Sequence, residues 1–282
     1  VPDFNFYIEK KLKTRGIPVV HYVCPQIWAW REYRTRKLKQ SIDRLLAVFP
    51  FERAFFLKHG INTNFVGHPL AKQLPLHPRK LLSKQALGLD ESKSVLAIMP
   101  GSRSQEIARH LPVFIDAARI VARAKESVQV VIGVVNDDHR KLAEAACREH
   151  GFGVYVRNSR ELLTAADAAI VASGTVTLEA LLCRTPMVVG YRTSPVSYYF
   201  LKKMITVEKI ALPNILSDSD LVPEYIQSEM TAENLSRTVL YYLEDNKNIE
   251  AFSRSAETIH RSLINNYENA AEIVSQLIKN GC

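Results

Sequence analysis

Short apolar runs alternate with amphipathic stretches along most of this 282-residue chain. An apolar run bounded by turn residues predicts a buried parallel strand, and apolar positions three and four apart predict a helix packed beside it. On that rule strands fall at roughly 18–23, 45–49 and 63–66. A helix starts near Trp28 or Ala29, and a second runs from Phe51 to His59 and stops at Gly60, a natural residue just past a helix end.

A break follows at Gly67-His68-Pro69 and Leu74-Pro-Leu-His-Pro78. From Ser83 a fresh series begins, with strands near 95–99, 129–134, 153–156, 168–172 and 187–190. Val113, Phe114, Ala117, Ala118, Ile120, Val121 and Ala124 form a 3.6-residue stripe on the helix between the first two, which reads as core. After Tyr191 the pattern loosens: a break at Pro195, an aromatic–basic helix, then Ile210 to Leu216. Helices over 234–243 and about 248–279 close the chain. The predicted fold class is α/β, with two Rossmann-like doubly wound parallel-sheet domains, the first incomplete. Residues 1–70 are the remainder of a first domain, 71–250 a complete second one, and 251–282 a terminal helix packing back toward the first.

Composition narrows the classes. The chain is 47 % apolar, enough for a large core, and no apolar run reaches membrane-span length. Cys24, Cys147, Cys183 and Cys282 are scattered, which indicates neither a zinc site nor a disulfide framework and fits a reducing compartment. Net charge is +8, with Arg31, Arg34, Arg36, Lys37, Lys39 and Arg44 crowded into one segment. That cluster is either a solvated helix face or a surface for nucleic acid, anionic membrane or phosphorylated small molecules.

The candidate chemistry lies in two strand–loop–helix openings. Val95 to Met99 runs into Pro100-Gly101-Ser102-Arg103 and then a helix; Ala168 to Ala172 runs into Ser173-Gly174-Thr175 and a helix carrying Glu179. A glycine lets backbone approach a diphosphate, a helix N-terminus offers free N–H groups, and an arginine can fork two phosphate oxygens. Thr175 is a candidate N-cap, and Glu179 lies about 6 Å further along the axis, where it could accept from both ribose hydroxyls. Together the two loops suggest a sugar-nucleotide site. The plainer alternatives are an ordinary turn with a surface arginine, and an acid favoured by the helix dipole. Neither a dinucleotide fingerprint nor a P-loop is present.

Other motifs stay two-sided. Trp28 and Trp30, beside Arg31, either form a platform for a sugar or acyl chain or staple a helix to the core. Asn214 needs a partner when buried, whether a ligand or the next turn. Tyr198, Phe200, Lys202 and Lys203 belong to a segment that rests on a membrane surface or packs as an amphipathic helix. His21, His68 and His110 read as structural.

Six segments in order carry a resemblance: His21 to Arg31, Gly67-His68-Pro69, Leu96 to Arg103, Ala172 to Glu179, Pro186 to Tyr191 and Leu212 to Leu216. Together they resemble the lipid-A-disaccharide synthases. The resemblance implies a GT-B fold and inverting transfer of 2,3-diacylglucosamine from UDP to 2,3-diacylglucosamine 1-phosphate (lipid X), giving a β(1→6) disaccharide and UDP. It implies no metal or other cofactor, the UDP-sugar being a substrate, and no nucleic-acid partner. It places the enzyme in the cytoplasm, peripheral on the anionic inner face of the Gram-negative inner membrane, with an oligomer left open. Gly101, Ser102, Arg103, Ser173, Gly174, Thr175, Glu179 and Asn214 would then hold the donor. Trp28, Trp30, Arg31, Tyr198, Phe200, Lys202 and Lys203 would face acceptor or lipid.

One departure matters. The family's D-x-P-D-F pattern has an aspartate, the candidate base, before Pro2-Asp3-Phe4, and here Val1 stands directly after its place. The expectation is that about a hundred residues with a glycine-rich loop precede this chain. Asp3 could assist, and the chain as given should bind nucleotide better than it transfers sugar. The alternatives are another UDP-sugar enzyme of this fold, of peptidoglycan-glycosyltransferase or UDP-N-acetylglucosamine-epimerase type, and a basic nucleic-acid-binding module.

Overall fold

The computed structural model describes residues 2–30, 32–194, 198, 209–217, 219–265 and 267–280. They fall into two compact units, one formed by residues 2–75 with 260–280, the other by 76–198 with 209–259.

The first unit is built on a three-stranded parallel sheet, β1 (Val20–Tyr22), β2 (Arg44–Ala47) and β3 (Thr63–Phe65), in that order. Its helices are α1 (Pro2–Lys13), α2 (Ile27–Trp30), α3 (Thr35–Ser41), α4 (Pro50–Lys58) and α5 (Pro69–Gln73). Leu45 and Ala47 are buried with Leu38, Phe56 and Ile61, and Leu46 between them is buried with Val66 and Ile273, so the apolar run of β2 serves both faces of the sheet. Gly60 takes φ +69° after α4, the left-handed geometry that ends the helix.

The second unit holds a six-stranded all-parallel sheet in the order β6-β5-β4-β7-β8-β9. The strands are β4 (Ser94–Met99), β5 (Val128–Val134), β6 (Gly153–Val156), β7 (Ala168–Ala172), β8 (Met187–Tyr191) and β9 (Glu224–Ile226). Around them lie α6 (Lys80–Ala86), α7 (Ser104–Ala124), α8 (Asp137–Cys147), α9 (Ser159–Ala165), α10 (Thr175–Leu182), α11 (Leu212–Ser217) and α12 (Ala232–Glu244). The chain winds outward from β4 through β5 to β6, then returns to β7 and winds the other way. The switch point therefore lies between β4 and β7, where a doubly wound sheet opens to ligands. On α7 the buried face includes Phe114, Ala117, Ala118 and Val121, as its stripe predicts, and extends back to Ile107 and His110.

Two expectations are corrected. The closing helix predicted over about 248–279 is two, α13 (Asn246–Ile264) and α14 (Ala270–Asn280). Asn269 ends the continuity: its Oδ1 accepts from the Ala271 amide at 2.9 Å, the local bond by which asparagine starts a helix. The last turn of α13 belongs to the first unit, where His260 Nε2 meets the Ala71 carbonyl at 2.8 Å and the Glu268 amide donates to Phe65 O at 2.7 Å. The loosened segment after Tyr191 also contains structure that periodicity missed, namely α11 and β9, the latter too short to show alternation. Arg31, Phe200, Lys202 and Lys203 lie outside the described residues, and of Trp30 only the backbone is described, as the last residue of α2.

Candidate functional site

The site is assembled at the carboxyl end of the second sheet. β4 and β7 are neighbours, pairing Met99 with Val171, so the loops that leave them, 100–103 and 173–174, flank the switch point. Both turn directly into helices whose first N–H groups have no intrahelical acceptor.

In the first loop Gly101 sits at φ +124°, and Ser102 and Arg103 are exposed. The glycine has a nearer reason than a ligand: a Cβ there would meet the Glu106 Cβ at 2.9 Å. Glu106, in the first turn of α7, closes the loop from below. Its Oε2 accepts from the amides of Ser102 and Arg103, both at 3.2 Å, and its Oε1 takes the Arg103 guanidinium at 2.6 Å. Burial alone would raise the Glu106 carboxyl, but the Arg103 guanidinium and the two amides outweigh it and hold it below the ordinary value. The Arg103 side chain is 80 % exposed, which leaves most of its donor fork open to an incoming anion.

The second loop departs from the expected cap. Gly174, at φ +142°, is the N-cap residue and Thr175 begins α10. Thr177, buried, holds the turn by donating to the Gly174 carbonyl at 2.8 Å, so the exposed Thr175 hydroxyl is not used in capping. Glu179 follows one turn on, largely covered, and accepts from Arg160 Nε at 3.3 Å. Ser173 is half-buried and donates to the Ile210 carbonyl at 3.4 Å.

Asn214 finds its partners inside the fold. The residue is buried, with Nδ2 donating to Val222 O at 2.8 Å and Glu224 Oε1 at 2.7 Å, and Oδ1 accepting from the Val222 amide at 2.8 Å. Its side chain is spent on tying α11 to β9. Glu224 completes that knot, accepting from the amides of Ile210 and Ala211, both at 3.0 Å.

In the first unit Trp28 is a staple. Its ring packs edge-on against Phe51 at 4.9 Å, and its Nε1 donates to Glu52 Oε1 at 3.3 Å. Glu52 is buried and also accepts from the amides of Val48 (3.3 Å) and Phe49 (3.1 Å), with the Cys24 thiol beside it. Burial pushes the Glu52 carboxyl up to about 7 against those donors, and burial with Glu52 pushes the Cys24 thiol up as well. Asp3, in the first turn of α1, is paired with Arg34 at 3.2 Å. Tyr198 is half-buried, its amide on the Ser194 carbonyl at 2.8 Å. The three histidines read as structural are all engaged: His21 with Glu9 at 2.6 Å, His68 as the cap of α5, and His110 between two loops.

Sequence reasoning overlooked Glu106, Thr177 and Arg160, and read His110 only as structural. Glu106 alone had a readable signal, an acid at the third position of a helix that starts from a loop.

The model of the lipid-A-disaccharide synthetase family matches residues 1–278. The chain belongs to this family. It is 38 % identical to the lipid-A-disaccharide synthase of Hahella chejuensis, a match covering 99 % of this chain and 72 % of that protein. It is 39 % identical to that of Pseudomonas putida, covering 99 % of this chain and 74 % of that one. The fold is also that of a UDP-GlcNAc 2-epimerase from Neisseria meningitidis solved with UDP-GlcNAc, at TM-score 0.61 and 14 % identity over 98 % of this chain and 73 % of that one. A glycosyltransferase from Rickettsia africae aligns at TM-score 0.54 and 11 % identity, covering 98 % of this chain and 81 % of that one. These likenesses bear out the GT-B reading of the fold. Membership of the synthetase family decides against the epimerase, peptidoglycan-glycosyltransferase and nucleic-acid alternatives. No helix among the described residues is long and apolar enough to cross a membrane.

Proposed function

We propose that the chain carries out its family's reaction, moving 2,3-diacylglucosamine from UDP to lipid X to form the lipid A disaccharide. The observation that carries the site assignment is the pair of loops at the β4–β7 switch point, one presenting an exposed arginine at the start of a 21-residue helix. In this reading the Arg103 fork and the first-turn amides of α7 take the diphosphate of the donor. Their positive field stabilises the charge that grows on UDP as the glycosidic bond breaks, a task assigned here to fixed protein donors rather than to a metal. The Gly174–Thr175 turn supplies a second anion contact, and Glu179, steadied by Arg160, accepts from the ribose hydroxyls. Asp3 stays an assisting group, held by Arg34, with no base assigned. The basic and aromatic segments around 31–44 and 198–205 would meet anionic lipid and the acceptor phosphate at the inner face of the inner membrane.

Calorimetric titration with UDP and with UDP-2,3-diacylglucosamine tests this. Both should bind, and Arg103→Ala should weaken both while leaving the melting temperature unchanged. Undiminished UDP binding by that variant would overturn the site assignment. Absence of heat with either ligand would overturn the functional reading as a whole.

A further inference from the structure

The loop that presents Arg103 is held at both ends by one face of α7. Glu106 takes its C-terminal amides. One turn further along the same face, His110 takes its N-terminal end. The ring of His110 is 0 % exposed, stacked on Phe114 (5.7 Å between centroids) and against Tyr191 (5.4 Å). Its Nδ1 meets the Pro100 carbonyl at 2.9 Å. Its Nε2 meets the backbone of Arg192, with the amide nitrogen at 3.0 Å and the carbonyl oxygen at 3.1 Å.

One neutral tautomer satisfies both sides: Nδ1–H donates to Pro100 O, and Nε2 accepts from the Arg192 N–H. Burial keeps the ring in that form by holding its pKa below the ordinary histidine value. Pro100 follows β4 and Arg192 follows β8, and in the sheet β7 lies between those two strands. The imidazole therefore ties together two strand ends that bracket the Ser173–Thr175 loop. The far anchor is itself fixed, because the Arg192 guanidinium donates to the carbonyls of Gln227 (3.2 Å) and Met230 (2.8 Å).

We infer that His110 is a positioning residue for donor binding: it sets the height of the Pro100–Arg103 loop over the switch point, and with it the reach of Arg103 to a nucleoside diphosphate. This rests on the reading of that loop as the diphosphate site. A buried aliphatic or aromatic residue would fill the space but leave the Pro100 carbonyl and the Arg192 amide without partners. The two loop ends could then drift apart, and a small displacement of a charge-assisted fork is enough to lose affinity.

The test compares UDP affinity and melting temperature of the wild type with His110→Phe, His110→Asn and Arg103→Ala. His110→Phe keeps the ring stacking and should weaken UDP about tenfold, close to 1.4 kcal/mol. His110→Asn can still donate to Pro100 O and should recover part of that affinity. Should His110→Phe not fold, His110→Asn and amide exchange of the wild type decide the matter. UDP should slow exchange in the peptides covering 100–106 and 190–194 together. Wild-type UDP affinity in the histidine variants, with Arg103→Ala impaired, overturns the positioning role and leaves the site assignment standing, as does protection confined to 100–106. Wild-type affinity in Arg103→Ala removes the site itself, and the inference falls with it.

Discussion

Glu52 in the first unit and Glu106 in the second occupy the same local position, three residues into a helix that leaves a parallel strand. Each accepts from the two amides of the loop before it: Val48 and Phe49 for one, Ser102 and Arg103 for the other. The surroundings are opposite. Glu52 is sealed under Trp28 and Cys24, and its carboxyl rises to about 7. Glu106 faces an exposed arginine and is held low. One backbone device thus makes a closed structural hub where the neighbours are apolar, and an open loop where a guanidinium stands at its rim. What separates the sealed loop from the open one is the charge and exposure of a single neighbour.

The comparison can be broken most directly at Glu52. Replacing it by alanine strands two buried amides and an indole N–H, and should cost about 3 kcal/mol in chemical denaturation. Glu106→Ala, whose amides lie near solvent, should cost only about 1 kcal/mol. Equal losses would erase the distinction between sealed and open loops. Next in size, Arg103→Ala should weaken UDP by about 2 kcal/mol, the worth of a charge-assisted contact, as read by calorimetry.

The raised Glu52 carboxyl makes a third difference. Folded, it titrates near 7; unfolded, near 4.5. Between those values the native chain holds a proton that the unfolded chain has released, so its contribution to stability falls as pH rises from 4.5 to 7 and is level above. Denaturation midpoints measured across that window should flatten in Glu52→Gln. An unchanged slope would mean that the Val48, Phe49 and Trp28 donors keep Glu52 ionised. The smallest expected effect is at Glu179. Its glutamine variant should lose a few-fold of the preference for UDP over deoxy-UDP, worth about 1 kcal/mol, and equal discrimination would remove it from the ribose site.

Some of this was legible in the chain and some was not. The strands β4, β5, β7 and β8 stand where their apolar runs predict, because a strand buried on both faces must be apolar almost throughout, and β6, the half-buried edge strand, also stands where its run predicts. The two loops of the candidate site were legible for a related reason: glycine and small polar residues directly after such a run mark the strand's ligand end. Asn214 and Trp28 were ambiguous in sequence because their roles turn on partners ten and twenty-four residues away, Glu224 and Glu52. No local pattern announces which of two polar groups a buried amide will find.

By itself, the sequence determined the alternation of elements, the family and the placement of an arginine at a strand-to-helix turn, since each is written in neighbouring residues and short periods. Only the tertiary structure decided that β4 and β7 are adjacent, that the Glu106 side chain crowds Gly101, and that His110 joins the ends of β4 and β8. Those are contacts between segments as much as 82 residues apart, set by how helices pack over a sheet. Side-chain identity permits such contacts, and only packing selects among them.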